Sequence, residues 1–334
     1  MGAGELLRGK KFVFFSSTDF GAYLLEKLCK RGLKENMVGV VCPPDTVVKK
    51  RGKEIQVPNP VKDIAIQEGL RILQPEEPGD DNFVETLKEI NPDLQIVVAY
   101  KILPTKVWSL PRWGTINVHP SDLPNYRGAA PIPWTIAKGE QFTRVTVFSI
   151  KDEVDQGSIL CYSPPVCIVD DKEIPFTGQK VLEILKPVAL ESLILAIRMM
   201  SNSDGNPPMY PQDPKHASYA PKLTLENTEI DMLWTAKEIR DHIQGMSYQD
   251  KSAWLMLNDG YLLKIIRAAE VGRMRPDPEK REAVGDLVMR RLNGKNSVFL
   301  LCNGREAVRI LEVQPGGKKV MKAEDWWNGY KNKK

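Results

Sequence analysis

In the run Gly114-Thr115-Ile116-Asn117-Val118-His119-Pro120 an amide and an imidazole stand two residues apart at the end of an apolar stretch. On a strand, residues two apart share a face, so Asn117 and His119 project toward one substrate. An amide N–H can stabilise the oxyanion of a carbonyl under attack, and an imidazole can carry a proton to or from the reacting groups. This pair suits acyl transfer to an amine, which needs a polarised carbonyl, a neutral nucleophile and a proton route. A second cluster, Lys151-Asp152-Glu153-Val154-Asp155-Gln156-Gly157, follows the apolar segment VTVFSI and brings several carboxylates near another strand end. One of them could hold His119, fixing its tautomer and stabilising its charged form as the aspartate of a Ser-His-Asp triad does. Taken singly, the first pattern also describes a structural histidine and the second an acidic surface turn.

The elements that must position these groups alternate along the chain. KFVFFSS reads as a buried strand, TDFGAYLLEKLCKRG as a helix and MVGVVC as a second strand. GLRILQP, the helical FVETLKEI, DLQIVVAY and GTINVHP continue the alternation, which implies a mostly parallel sheet covered by helices. Ligands of such sheets bind beyond the carboxyl ends of the strands, where INVHP ends. QKVLEILKPVALESLILAIRMM reads as a helix with a kink expected at Pro187, since proline removes an internal hydrogen bond. The proline-rich stretch 201–219 reads as an interdomain linker. Beyond a helical segment at TAKEIRDHIQGM, the short strands WLMLNDGYLLKIIRAAEV, GDLVMRR, SVFLLCNG and AVRILEVQPG suggest a small barrel. The expected division is a catalytic domain over 1–200, the linker, and a C-terminal domain over 220–334.

A chain of 334 residues exceeds the size at which one core keeps growing, which favours two domains. Apolar residues at 42% and charged residues at 27% are ordinary globular values and exclude a disordered or fibrous chain. The longest apolar stretch, near residues 188–200, is interrupted by Glu191 and Arg198 and falls short of the roughly 18–20 residues of a membrane span. The opening residues lack a signal-peptide pattern, so a cytoplasmic protein is expected. Cys29, Cys42, Cys161, Cys167 and Cys302 show no metal-ligand spacing, and the reading expects free thiols and no metal. Residues 1–220 carry 26 Lys/Arg against 27 Asp/Glu, and residues 221–334 carry 21 against 16. A basic C-terminal part beside a neutral one fits an attached module that handles a polyanion.

The longer stretch NVHPSDLPNYRGAAPIPWTI, followed by VTVFSIKDEVDQGSIL, resembles the signature of the folate-dependent formyltransferases. The resemblance covers residues 11–330. It implies an α/β fold, with a Rossmann-like, mostly parallel sheet as the formyltransferase domain and a small OB-like β-barrel after it. It also implies 10-formyltetrahydrofolate as formyl donor. The family's catalytic Asn-x-His and the Asp of its D-x-G turn fall on Asn117, His119 and Asp155. Its folate-contacting S-L-L-P segment falls on Ser121, Asp122, Leu123 and Pro124, with Asp122 in place of the usual leucine. The edge of its pterin pocket falls on Ile102 and Leu103. The opening departs from the family's G-T-P-D-F-A, having Ser17-Thr18-Asp19-Phe20-Gly21.

Members of the family differ in the amine they formylate. The segments Arg51-Gly52-Lys53 with Pro58-Asn59-Pro60-Val61-Lys62, Tyr219-Ala220-Pro221-Lys222-Leu223-Thr224, and Gln314-Pro315-Gly316-Gly317-Lys318-Lys319-Val320-Met321 resemble the branch that acts on methionyl initiator tRNA. That resemblance implies tRNA contacts at Arg51, Lys53, Lys318 and Lys319, and no obligate protein partner. The rival readings are a formyltransferase for an amino sugar nucleotide, a formyltetrahydrofolate hydrolase, and a tRNA-binding module without catalysis.

Overall fold

The computed structural model describes residues 7, 9–50 and 53–331. The chain packs as two compact units. One comprises the residues up to Gly128 with Arg144–Pro164 and Ile184–Tyr219; the other comprises Ala129–Thr143, Pro165–Glu183 and the residues from Ala220 onward.

The strands of the first unit are β1 (Phe12–Ser16), β2 (Met37–Val41), β3 (Thr46–Lys50), β4 (Lys53–Val57), β5 (Ile72–Leu73), β6 (Leu94–Val98) and β7 (Thr115–His119). Past β8 (Phe142–Thr143) of the second unit come β9 (Thr146–Ser149) and β10 (Ile159–Tyr162). Seven of them form one sheet in the order β10-β9-β7-β6-β1-β2-β5. The five strands from β7 to β5 run parallel, while β9 lies antiparallel to β7 and to β10. All five residues of β1 and of β6 are buried, as expected for central strands covered on both faces. The helix Asp81–Ile90 starts where Asp80 accepts the Asn82 and Phe83 N–H groups, and it ends at Asn91 in the left-handed conformation. It buries Phe83, Val84, Leu87 and Ile90 in one cluster with Val13, Phe15, Val41 and Val97 of the sheet. β3 and β4 pair as a separate antiparallel hairpin.

The stretch 201–219, read from its composition as a linker, belongs to the first unit. Tyr210 and Ile159 exchange backbone hydrogen bonds of 2.7 and 2.9 Å, and Arg127 N donates to Ser218 O at 2.9 Å. Proline restricts a chain to extended backbone without making it free, so this segment lies along the unit as a strap.

In the second unit β11 (Val166–Cys167) pairs with β8. β12 (Ala253–Met256), β13 (Leu262–Arg273), β14 (Leu287–Leu292), β15 (Lys295–Cys302), β16 (Glu306–Pro315) and β17 (Met321–Lys322) form an antiparallel sheet, ordered β12-β13-β16-β15-β14 with β17 on β16. Three register shifts in β13 are where such a sheet bends. The helix Ala236–Met246 begins with a capping box between Thr235 and Glu238. Its Ile239, Ile243 and Met246 share a core with Leu263, Ile265, Val298, Leu300 and Ile310. The helix Gly178–Asn202, whose residues from Ile184 onward belong to the first unit, continues through Pro187. No helix among the described residues is long and apolar enough to cross a membrane.

Candidate active site

β7 ends on His119, and the loop that follows folds back over it. The His119 ring is buried, with Nε2 2.9 Å from the carbonyl oxygen of Tyr126. A carbonyl only accepts, so Nε2 carries the hydrogen. Nδ1 then faces the Asp155 carboxylate, with Oδ2 at 3.7 Å, close but beyond a direct hydrogen bond. The same Oδ2 accepts the Gly128 N–H at 2.7 Å, which fixes the carboxylate beside the ring. Phe148 of β9 stands edge-on to the imidazole, ring centres 6.4 Å apart. Asn117 lies on the same face of β7, and its Oδ1 is buried without a hydrogen-bond partner in the protein. That oxygen only accepts, so it can take an N–H from a bound substrate, while the Nδ2 hydrogens of the same amide are the ones that can donate.

Two residues here adopt positive φ without being glycine: Tyr126 at 61° and Asp155 at 56°. Aspartate tolerates this region; a bulky aromatic residue does so only when its surroundings hold it. The strap supplies that hold, since Ser218 Oγ accepts the Tyr126 N–H at 2.9 Å. Gln212, also on the strap, bonds to the backbone of the Asp155 turn and to the Arg127 guanidinium. Composition alone did not flag Gln212: one glutamine in a turn-rich run has no periodicity to mark it. Gly157 closes the turn where a Cβ would lie 1.5 Å from Ser149 O, so only glycine fits.

The segment matched to folate contact adjoins this centre. Ser121 is fully buried; its N–H donates to His119 O at 2.9 Å and its hydroxyl to Asn125 O at 2.7 Å. The Thr146 hydroxyl donates to Ser121 O at 2.6 Å and accepts the Leu123 N–H at 3.2 Å. Leu123 packs with Phe148 and Ile159, and the Leu123–Pro124 peptide is cis. Asp122 points the other way, half-exposed, 3.6 Å from Arg144 Nε. Position 122 faces outward between two buried neighbours, which is why aspartate can stand where the family has leucine. The Tyr162 hydroxyl donates to Leu123 O at 2.7 Å. Burial, aided by the Asp122 charge and opposed by Arg144, raises the Tyr162 phenol above its usual range, so it stays a donor.

Ile102 and Leu103 part company: Ile102 is 76% exposed, whereas Leu103 is buried in the cluster around Phe15 and Val97. Arg51 lies outside the described residues; Lys53 begins β4. Lys318 and Lys319 are exposed on the turn between β16 and β17 in the second unit.

Residues 10–181 match the family described as formyl transferase, and residues 222–331 match its C-terminal domain. The methionyl-tRNA formyltransferase of Thermodesulfovibrio yellowstonii is 36% identical over 321 residues, and that of Parabacteroides distasonis 32% over 331 residues; in both comparisons 96% of each chain is covered. The chain belongs to the methionyl-tRNA formyltransferase family. In fold alone, this family member is similar to the N-formyltransferase of Helicobacter canadensis solved with folinic acid and dTDP-3-aminofucose, at TM-score 0.61 and 16% identity over 90% of this chain and 98% of that one. The methionyl-tRNA formyltransferase of Clostridium thermocellum gives TM-score 0.53 at 16% identity, covering 78% of this chain and 93% of that one. Fold likeness thus spans formyltransferases of both kinds and does not by itself choose the acceptor.

Proposed function

We propose that the chain transfers the formyl group of 10-formyltetrahydrofolate to the α-amino group of methionyl initiator tRNA, the cytoplasmic step that prepares the initiator for translation. The observation that carries this reading is the convergence of Asn117, His119 and Asp155 at the carboxyl end of β7. It occurs in a chain that matches methionyl-tRNA formyltransferases over 96% of its length.

The formyl carbon lies near Asn117 and His119, with the folate along residues 121–124 and Ile102. Leu103 acts from beneath by supporting that edge. The methionyl amine attacks the formyl carbon, forming a C–N bond and a tetrahedral oxyanion. The bond from that carbon to the folate N10 then breaks, and the proton lost by the amine is gained by N10. A free α-amino group has a pKa near 7.7–8.0 and that of an aminoacyl ester is lower, so much of the nucleophile is already neutral and positioning matters more than deprotonation. Asn117 donates to the oxyanion. His119, with Nε2 committed to Tyr126 O, moves the proton at Nδ1, and Asp155 stabilises the charged ring. Residues 1–200 carry this chemistry, while residues 220–334, with Arg51 and Lys53, grip the tRNA.

The test is a formylation assay that offers the protein 10-formyltetrahydrofolate with either charged initiator tRNA or a dTDP-linked amino sugar. Formyl-methionyl-tRNA as the product supports the reading. Formylation of the amino sugar alone would overturn the choice of acceptor and leave the site chemistry standing.

A further inference from the structure

We propose that Gln212 is a positioning residue for the formyl transfer, holding the Asp155 turn and the loop over His119 in register through a single side-chain amide. The inference rests on the reading that His119 and Asp155 act as a pair.

The two catalytic loops are separate in sequence. One follows β7 and carries Tyr126, Arg127 and Gly128; the other follows β9 and carries Asp155 and Gly157. Gln212 Nε2 donates to both Asp155 O and Gly157 O, each at 2.8 Å. Its Oε1 accepts from Arg127 Nε at 3.0 Å and Nη2 at 2.8 Å. The orientation of this amide is unambiguous, because a flip would set donors against the guanidinium and an acceptor against two carbonyls. Arg127 is 3% exposed and lies between the two residues that define the pair. Tyr126 on one side receives the His119 Nε2 hydrogen, and Gly128 on the other donates to Asp155 Oδ2. One amide therefore sets the backbone on both sides of the His119–Asp155 approach. Nothing else about a glutamine on a strap would demand four bonds divided between these loops.

Gln212→Glu separates positioning from stability. A carboxylate keeps the acceptor for buried Arg127 and adds a charge opposite it, so the fold is retained, but it faces the carbonyls of Asp155 and Gly157 as a third acceptor and drives the turn away. A displacement of about 1 Å can cost on the order of 100-fold in rate. The full-length protein should therefore lose about 10- to 100-fold in kcat with methionyl-tRNA and 10-formyltetrahydrofolate, while KM for the folate stays within about twofold and the pH profile of kcat shifts. In an Asp155→Asn background the same change should add little, because there is no longer a carboxylate to aim. Should Gln212→Glu melt early, Arg127→Met with Gln212→Leu removes the guanidinium and its acceptor together and leaves no unpaired buried charge, and kcat must still fall. Wild-type kcat and pH profile in a folded variant would overturn the inference, as would losses that simply add to that of Asp155→Asn. Failure of the wild-type protein to formylate methionyl-tRNA is a different result and would overturn the functional reading instead.

Discussion

The carboxylates of Asp152 and Asp155 belong to one acidic run yet have different partners. Asp152 Oδ1 accepts the Thr105 hydroxyl at 2.5 Å and is exposed, whereas Asp155 Oδ2 stands beside His119 and is tied to Gly128. Only Asp155 can stabilise a charged His119 ring. Asp155→Asn keeps the size but removes the charge and should lower kcat by about 100-fold or more, comparable to His119→Ala. Asp152→Asn should stay within about threefold of wild type, losing at most one exposed hydrogen bond. Steady-state kinetics on the three variants checks this, and equal losses for the two aspartates would mean that the wrong carboxylate has been paired with the histidine. The spacing of Asn117 and His119 was legible in the sequence because two residues apart on a strand share a face, whereas Asp155 was singled out from its acidic neighbours only by the resemblance. Gln212 was not legible, since its four hydrogen bonds are long-range and no local rule of composition encodes them. The opposite exposure of Ile102 and Leu103 was hidden for a related reason: they lie in a loop, where no period of two or 3.6 assigns a face.

At the scale of elements, the first strand–helix junction is packed by a pair, Ser16 and Gly21. The Ser16 side chain fills the space that a Cβ on Gly21 would need, with Oγ at 1.8 Å and Cβ at 2.4 Å from that position. Ser16 and Gly21 thus share one volume across the junction, the serine side chain occupying what a larger residue at 21 would need. Gly21→Ala alone should destabilise the first unit by about 1–3 kcal/mol through overpacking, and adding Ser16→Gly should recover most of that loss. Thermal melting of the two single variants and the double variant checks it; additive effects would refute the pairing. On the helix Ala236–Met246, His242 is buried edge-on to Trp234, its ring centre 4.8 Å away. Burial depresses its pKa to about 4, with Lys138 adding to the effect and a hydrogen bond to the Thr228 backbone opposing it. The unfolded chain takes up this proton near pH 6.5, whereas the folded second unit takes it up only near 4, so stability is full above about pH 6.5 and declines as pH falls toward 4. The decline from this group should approach about 3 kcal/mol. His242→Asn should flatten that part of the curve even if it lowers stability at neutral pH, and urea unfolding across pH 4–7.5 measures both. The alternation of strands and helices and the run of short C-terminal strands were readable from periodicity, but the Ser16–Gly21 contact needed the junction's geometry.

At the scale of the whole chain, the backbone does not pass once from a catalytic part to a binding part. Residues 129–143 and 165–183 belong to the second unit although they lie within the catalytic half of the sequence. Hydrophobic pattern shows that a segment has an apolar face but not which core receives it, so sequence placed the boundary near 201–219 alone. In the second unit, Ala130 is part of the core around Ile239 and Ile243, Trp134 and Ala137 pack against it, and Gln244 Nε2 donates to Pro175 O at 2.6 Å. Cutting the chain at residue 220 would strip these segments of their core, so the role of the basic module is better tested by charge than by truncation. Residues 221–334 hold 21 Lys/Arg against 16 Asp/Glu, and Lys318 and Lys319 stand exposed on the turn after β16. If they meet tRNA phosphates, binding releases counterions, and affinity falls linearly with salt on a logarithmic scale. Lys318→Glu with Lys319→Glu should raise KM for methionyl-tRNA several-fold at low salt and flatten the salt slope by roughly one unit per lost phosphate contact. KM for 10-formyltetrahydrofolate should stay within about twofold. The control is Lys88→Glu with Lys106→Glu, an equal charge change on first-unit lysines that already pair with Glu85 and Asp81. If the control variant matched the Lys318–Lys319 variant in KM and salt slope, the effect would come from net charge, and the turn after β16 would not be a tRNA contact.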